Sequence, residues 1–174
     1  MELILIRHGL PEKVINKDGT PANPPLSEIG HSQARKVADW LKDHKIDRLY
    51  SSPMNRAYQT AEPLAALKNL EIEVRDGVAE YDRDAGHSIP VEELKELDYE
   101  RWKKLMSGSP EGIDFAGFRD GVIETLSAII DENRGKRVAV TCRGGVINVW
   151  AAHVIGFEPR MFFNPNYTSI SRFM

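Results

Sequence analysis

The order of apolar and polar positions along the chain separates short buried runs from longer amphipathic stretches. Runs of the length of single strands lie at residues 2–6, 48–52, 72–75, 137–141 and 167–173. Between most of these runs, apolar residues recur every three or four positions, which predicts helices that bury one face. The predicted helices cover residues 27–41, 53–65, 91–106, 114–133 and 146–156. Prolines and glycines scattered among polar residues predict a long loop at 9–25, and residues 76–90 form a second.

Strands that alternate with helices predict an α/β fold. We expect a mainly parallel central sheet flanked by helices on both faces, which is a three-layer sandwich. The length of 174 residues fits one domain over residues 1–174. In such sheets, ligands bind beyond the carboxyl ends of the strands. This rule directs attention to residues 7–9, 51–53 and 142–145.

Composition narrows the classes of partner. The net charge of −3 gives no general attraction to nucleic acid or to an anionic membrane. Cys142 is the only cysteine, which excludes an intrachain disulfide and favours a reducing compartment. No signal-peptide pattern begins the chain, and no apolar run approaches the roughly 18 residues that span a bilayer. We therefore expect a cytoplasmic protein that binds neither nucleic acid nor membrane.

Two strand ends carry residues suited to phosphate chemistry. His8 follows the first strand directly, and neutral imidazole is a nucleophile near neutral pH. Arg7 beside it would favour the neutral form and would clamp a phosphate through paired donors. From these residues alone, the favoured interpretation of His8 is a half-buried histidine at a strand end that bonds to backbone. Arg56, one turn into the second helix, fits either an anion site at a helix N-terminus or an ordinary surface arginine.

The second glycine-containing strand end is at Cys142-Arg143-Gly144-Gly145. Gly144 and Gly145 open a helix, where backbone N–H groups can meet an anion, although a tight turn with nothing bound fits as well. Their spacing matches neither a P-loop nor a dinucleotide fingerprint. Cys142 precedes Arg143 directly, so it fits a small buried residue better than a nucleophile.

Taken together, four motifs resemble those of one family. RHG, PLSEIGHSQA, SSPMNRAYQTAEPLA and VAVTCRGGVIN occur in the order and spacing of the histidine phosphatase superfamily, whose fold is phosphoglycerate mutase-like. The matching patterns run from Leu3 to about Ile155. A joint match of four separate motifs is highly specific.

The resemblance implies a role for each matched residue. His8 would attack phosphorus and become a phosphohistidine, while Arg7 and Arg56 would hold the phosphoryl oxygens. Glu80 falls where the family places its general acid, and Asp82 is the fallback for that role. Water would then hydrolyse the phosphohistidine. The resemblance implies no metal and no cofactor, and the partner would be a small phosphorylated substrate or phosphate itself.

The chain departs from the family at one position. The residue before the glycine pair is a second histidine in the family, and here it is Arg143. Arginine keeps positive charge and donors for phosphate, but it is longer, stays protonated and cannot reproduce imidazole geometry. A displacement of about 1 Å near the chemistry can cost about 10²-fold in rate. The resemblance therefore predicts a phosphate-binding Arg143 and an impaired enzyme.

The sequence leaves three hypotheses about function open. The first is a metal-independent phosphomonoesterase, since mutases of this superfamily are typically longer than this chain. The second is an inactive protein that binds phosphorylated ligands, and the third is the same fold repurposed for another acidic substrate. Apolar residues near the C-terminus form either a homodimer contact or part of the packing under the last strand: Met161, Phe162 and Phe163.

Overall fold

The structure is a computed structural model that describes most of the chain. The described residues are 1–18, 20–79, 87–88, 91–106, 114–158 and 161–174. Within these ranges the strands are Glu2–Arg7 (β1), Val14–Ile15 (β2), Arg48–Ser51 (β3), Ile72–Val74 (β4), His87–Ser88 (β5), Arg137–Cys142 (β6) and Ile170–Phe173 (β7). The helices there are Glu28–Trp40 (α1), Asn55–Lys68 (α2), Val91–Leu97 (α3), Tyr99–Met106 (α4), Phe115–Glu132 (α5) and Gly144–Ile155 (α6).

Five of these strands form one sheet in the order β4-β3-β6-β1-β7. The first four run parallel, and only the edge strand β7 runs antiparallel to its neighbour β1. The predicted α/β fold with a mainly parallel sheet is therefore confirmed. The parallel strands place their carboxyl ends at one edge of the sheet, where β1, β3 and β6 are central.

Helices cover both faces of this sheet, as the alternation along β1 requires. Leu3 and Leu5 point into one core and Ile4 and Ile6 into the other, and all four are buried. The first core contains residues of α5 and α6: Val122, Leu126, Ile129, Val146 and Val149. The second contains residues of α1 and α2: Val37, Ala38, Ala61 and Leu64. The three-layer arrangement follows from these two cores.

The start of α1 shows why the predicted helices form where they do. Ser27 precedes the helix, and its side-chain oxygen accepts from the backbone N–H of Gly30 at 3.1 Å, which is an N-cap. Asp114 caps α5 in the same way, with its carboxylate 2.9 Å from the N–H of Gly117. Both caps satisfy N–H groups that the helix itself leaves without acceptors.

The structure differs from the sequence prediction in three places. The predicted loop 9–25 contains β2, which pairs with β5 from the second predicted loop. The single helix predicted over 91–106 is two helices, α3 and α4, which meet at Asp98. The predicted strand 167–173 begins only at Ile170, because Thr168 has a left-handed backbone with φ of 58°.

Across the described ranges, no helix combines the length and the apolar character that a membrane-spanning segment requires.

Candidate active site

The carboxyl ends of three neighbouring parallel strands lie level with one another. Arg7 of β1 pairs with Cys142 of β6, and Ser51 of β3 pairs with Thr141. One backbone bond continues this alignment beyond β1, since the N–H of His8 donates to the carbonyl of Cys142 at 2.9 Å. The strand ends that the sequence singled out therefore meet at one edge of the sheet.

His8 is held at this edge in a defined protonation pattern. Its side chain is buried, and Nδ1 lies 2.7 Å from the carbonyl oxygen of Gly9. Because a carbonyl oxygen only accepts, Nδ1 carries the proton of the neutral ring and Nε2 carries the lone pair. Nε2 is buried and has no hydrogen-bond partner among the described residues. The ring therefore presents a nucleophilic nitrogen at the site.

The surroundings of His8 keep its ring neutral. Burial lowers the pKa of His8 well below the usual value of 6.5, because the charged form loses its hydration. The positive charges of Arg56, Arg143 and Arg7 lower this pKa further. The bond to Gly9 raises it by a smaller amount. Three arginines thus surround a neutral imidazole with positive charge in a chain whose net charge is −3.

Close backbone packing fixes the residues that follow His8. A β-carbon at Gly9 would lie 2.7 Å from the carbonyl oxygen of Gly30, and one at Gly30 would lie 2.1 Å from that of Leu10. Neither position has room for a side chain, so both must be glycine for the turn after β1 to rest on α1. Ser27 stabilises the same contact between the turn and α1, because its N–H and its hydroxyl both donate to Leu10 O at 2.9 Å.

Arg7 is held by the segment that precedes β7. Its Nη1 donates to the carbonyl of Pro165 and lies 3.4 Å from Oδ1 of Asn164. The ring of Tyr167 stacks against the guanidinium, with the central carbon 4.0 Å from the ring centroid, which is a cation–π contact. The same ring lies 5.7 Å from that of His8. Thr168 closes the arrangement, because its N–H donates to Arg7 O at 3.0 Å.

Arg56 is the second residue of α2 and is only 2% exposed. Thr60, one turn later, donates its hydroxyl to Arg56 O at 2.6 Å and accepts the N–H of Gly9 at 2.9 Å. This hydroxyl links the helix that carries Arg56 to the turn that carries His8. Asn23 caps the helix from the long loop, with its Oδ1 2.9 Å from the N–H of Asn55.

Arg143 and Gly144 stand at the start of α6. Arg143 is half-buried with extended backbone and occupies the N-cap position, and Gly144 is the first helical residue. A β-carbon at Gly144 would lie 3.4 Å from Cγ of Pro165 and 3.9 Å from Nε of Arg7. The first turn of α6 thus packs directly against Pro165 and Arg7.

The structure brings five of the predicted site residues to this end of the sheet: Arg7, His8, Arg56, Arg143 and Gly144. Their chemical roles stay predictions. The proposed general acid Glu80 and its fallback Asp82 lie outside the described residues. Cys142 is completely buried in the first core, in agreement with the packing role expected of it. Within the described ranges, no cluster of three or more His, Cys, Asp and Glu side chains is arranged for a metal ion.

Sequence reasoning missed two residues of the site. Thr60 lies one helical turn after Arg56, and that spacing was the available signal for a polar residue on the same face. Tyr167 gave no signal, because it is distant from Arg7 in sequence and their contact arises only in the tertiary structure.

The motifs and the geometry agree with a comparison against known families. The family model of the histidine phosphatase superfamily (branch 1) matches residues 3–174. The chain belongs to this superfamily. Its curated relatives include phosphoserine phosphatase 1 of Hydrogenobacter thermophilus, which is 32% identical over 139 residues. That match covers 78% of this chain and 62% of the relative, so the chain spans less than two thirds of the length of that enzyme.

Solved structures of two phosphatases show a similar fold. A mutant phosphoserine phosphatase of Entamoeba histolytica, in complex with phosphoserine, has a TM-score of 0.76 at 26% identity, and the match covers 99% of this chain and 90% of that one. A mycobacterial glucosyl-3-phosphoglycerate phosphatase has a TM-score of 0.75 at 17% identity, covering 98% and 88%. This second likeness concerns the fold alone. The phosphoglycerate mutase-like expectation for the architecture is confirmed.

Proposed function

We propose that this histidine phosphatase family member hydrolyses small phosphomonoesters without a metal, through a phosphohistidine at Nε2 of His8. The observation that carries the proposal is the state of His8, which is buried, neutral and surrounded by Arg7, Arg56 and Arg143. A lone pair directed into a cationic site is suited to attack a phosphoryl group. A binding protein would need the arginines but not this nucleophile.

The first step transfers the phosphoryl group to the protein. The lone pair of Nε2 forms the bond to phosphorus as the bond from phosphorus to the ester oxygen breaks. The arginines neutralise the charge on the phosphoryl oxygens, which is the main requirement of phosphoryl transfer. The departing oxygen takes a proton, and the family resemblance assigns that proton to the carboxyl of Glu80.

The second step returns His8 to its starting state. Water attacks phosphorus, the bond from nitrogen to phosphorus breaks, and inorganic phosphate leaves. The proton lost by water returns to the carboxylate that donated in the first step, so protons balance over the cycle. Nδ1 keeps its proton and donates it to Gly9 O throughout, which holds the ring in one orientation for both steps.

Arg143 supports a second candidate, a protein that binds phosphorylated ligands with little or no turnover. A third guanidinium strengthens binding of phosphate in the ground state, and such binding does not accelerate the reaction. It also retains product phosphate. A second histidine at this place would instead donate to the phosphoryl group as charge develops.

The substrate class follows from the charge of the site and from the relatives. We propose a small phosphorylated metabolite, because Arg7 and Arg56 are buried and Arg143 is half-buried, rather than spread over an exposed surface. Phosphoserine and phosphoglycerate are the first compounds to test, because the names of the relatives mention them. A cytoplasmic location and a homodimer belong to this proposal as well. Phe163 packs against the first core, while Phe162 is exposed.

The decisive experiment compares hydrolysis of an aryl phosphate by the chain, by Arg143→His and by His8→Ala. We expect measurable turnover by the chain, a higher kcat in Arg143→His by about 10- to 10²-fold, and none in His8→Ala. Turnover that survives in His8→Ala would refute the phosphohistidine route. If the chain and Arg143→His both bind inorganic phosphate but neither turns over, the ligand-binding candidate is correct.

A further inference from the structure

Asn148 lies in the middle of α6 and is completely buried, yet it belongs to neither apolar core. Its side-chain amide fills all four hydrogen-bonding positions. Nδ2 donates to the carbonyls of Gly144 and Phe163, each at 2.9 Å. Oδ1 accepts from the N–H of Phe162 at 2.9 Å and from that of Phe163 at 3.1 Å. One side chain thereby fixes the backbone of a loop to the helix.

The loop that Asn148 fixes is the one that holds Arg7. Residues 162–167, which we call the arginine bracket, pass from the amide of Asn148 directly to the guanidinium. Pro165 O and Asn164 Oδ1 accept from Nη1, and the ring of Tyr167 covers one face. Hydrogen bonds at Nη1 and the ring stacked on the guanidinium plane leave Arg7 few rotamers. The orientation of its guanidinium is therefore fixed.

Asn148 also bonds to the first residue of α6, on the other side of the site. Gly144 O accepts from Asn148, and the α-carbon of Gly144 faces Pro165 and Arg7. The same amide therefore sets the distance between the start of α6 and the bracket. A buried amide that makes all of its hydrogen bonds costs free energy to displace, so it holds the surrounding backbone rigidly.

We propose that Asn148 is a positioning residue, which acts through the arginine bracket to aim Arg7 at the bound phosphoryl group. Asn148 is completely buried and does not reach the substrate itself, so it acts through the residues that it fixes, and the bracket that holds Arg7 accounts for three of its four hydrogen bonds. The inference rests on the proposed function only in taking this site as the phosphoryl site. Its test uses binding of inorganic phosphate, which needs no turnover.

The experiment is a double-mutant cycle between Asn148→Ala and Arg7→Ala, with Kd for inorganic phosphate measured by NMR titration. We expect Asn148→Ala to weaken phosphate binding by about 10-fold or more, as for a misplaced charge-assisted hydrogen bond. In the Arg7→Ala background the same change should have no further effect, because the group through which it acts is gone.

Asn133→Ala is the matched control. Asn133 is also buried, and its Nδ2 also donates to the carbonyl four residues earlier, that of Ile129, and to the hydroxyl of Tyr50. It precedes β6, at the end of the sheet opposite the site. Urea unfolding should show a loss of stability in both alanine variants, whereas only Asn148→Ala should change Kd.

Equal changes in Kd for the two asparagine variants would overturn the proposal, and so would an Asn148 effect that persists without Arg7. If Asn148→Ala does not fold, Asn164→Ala decides, because that side chain is at the surface. It should weaken binding by about 2- to 10-fold, only when Arg7 is present. A chain that binds no phosphate overturns the inference. A chain that binds phosphate without hydrolysing it contradicts the proposed hydrolysis alone.

Discussion

The protonation state of His8 depends on its burial and on the charges of its neighbours. Burial lowers the pKa of His8 most, and the cations that would hold a phosphoryl group lower it further, so the same arginines would favour both phosphate binding and the unprotonated ring. Substituting histidine by arginine at position 143 keeps this part of the design intact. Under the proposed function, arginine at this position does not reproduce the imidazole geometry that the family places there, and kcat should reveal that difference more than phosphate binding does.

The lowered pKa of His8 has a consequence for stability. Below pH 6.5 the unfolded chain binds a proton at His8 that the folded chain does not bind, so stability rises with pH in this window. The contribution is fully present above pH 6.5 and is lost as the pH falls toward the lower folded value. His8→Gln should therefore flatten the dependence of the free energy of unfolding on pH below 6.5.

Urea unfolding of both proteins from about pH 7.5 to about pH 5 measures this difference. The other histidines are common to both chains, so their contributions cancel. Equal slopes in the two proteins would show that His8 titrates normally in the folded state.

At the scale of elements, the site is made by strands that end level and by loops that pack on them. The positions of the strand ends could be predicted from the sequence. His8 comes at the end of one clear apolar run, and Arg143 directly follows another. Contacts between distant segments could not be read in the same way. The pairing of β2 with β5 joins residues more than 70 positions apart, and neither strand has an alternating pattern of its own.

The contacts of the arginine bracket also could not be predicted from local sequence patterns. Asn148 reads in sequence as one polar residue in an apolar helix, and its four partners become visible only in the fold. Tyr167 reads as a strand residue until the left-handed Thr168 is known. Local patterns indicate which side chains are buried, whereas the partner of a buried polar group depends on the tertiary structure.

The contact between the β1 turn and α1 yields a prediction at this scale. Gly30→Ala would place a β-carbon against the carbonyl of Leu10, and backbone cannot move aside as a side-chain tip can. We expect a loss of about 1–3 kcal/mol in the free energy of unfolding, with lower kcat/KM because the turn after His8 shifts. Chemical denaturation and aryl phosphate hydrolysis measure the two effects.

Gly121→Ala is the matched control for this substitution. Gly121 lies inside α5 with nothing within 4 Å of an added β-carbon, so alanine should stabilise the protein by about 0.5–1 kcal/mol. Its activity should equal that of the unchanged chain. A Gly30→Ala protein as stable and as active as Gly121→Ala would contradict the close packing.

At the scale of the whole molecule, charged side chains are grouped at both ends of the sheet. The carboxyl ends of the strands carry the cationic site, and the opposite end is closed by Glu2 at the start of β1. Glu2 is buried and accepts from the side chains of Arg137 on β6 and Arg172 on β7. One carboxylate thus joins three adjacent strands far from the chemistry.

We expect these ion pairs of Glu2, which we call the Glu2 clamp, to make an acid-sensitive contribution to the free energy of unfolding. The hydrogen bond from Arg172, assisted by that from Arg137, lowers the pKa of Glu2 below 4.5 in spite of burial. The contribution is present above pH 4.5 and is lost as the pH falls through the folded value, because protonation breaks the ion pairs. Glu2→Gln should destabilise the protein at neutral pH and reduce the acid dependence of its urea midpoint. Its phosphate affinity should stay the same, and a changed affinity would contradict the separation of the clamp from the site.

The central claim is that Nε2 of His8 carries the phosphoryl group, and trapping that adduct tests it most directly. The chain would be mixed with phosphoserine or an aryl phosphate, quenched in alkaline detergent to preserve the phosphoramidate bond, and analysed by intact mass and fragmentation. We expect one added phosphoryl group, located at His8 and absent from His8→Ala. Turnover of the substrate with no adduct, or an adduct on another residue, would contradict it.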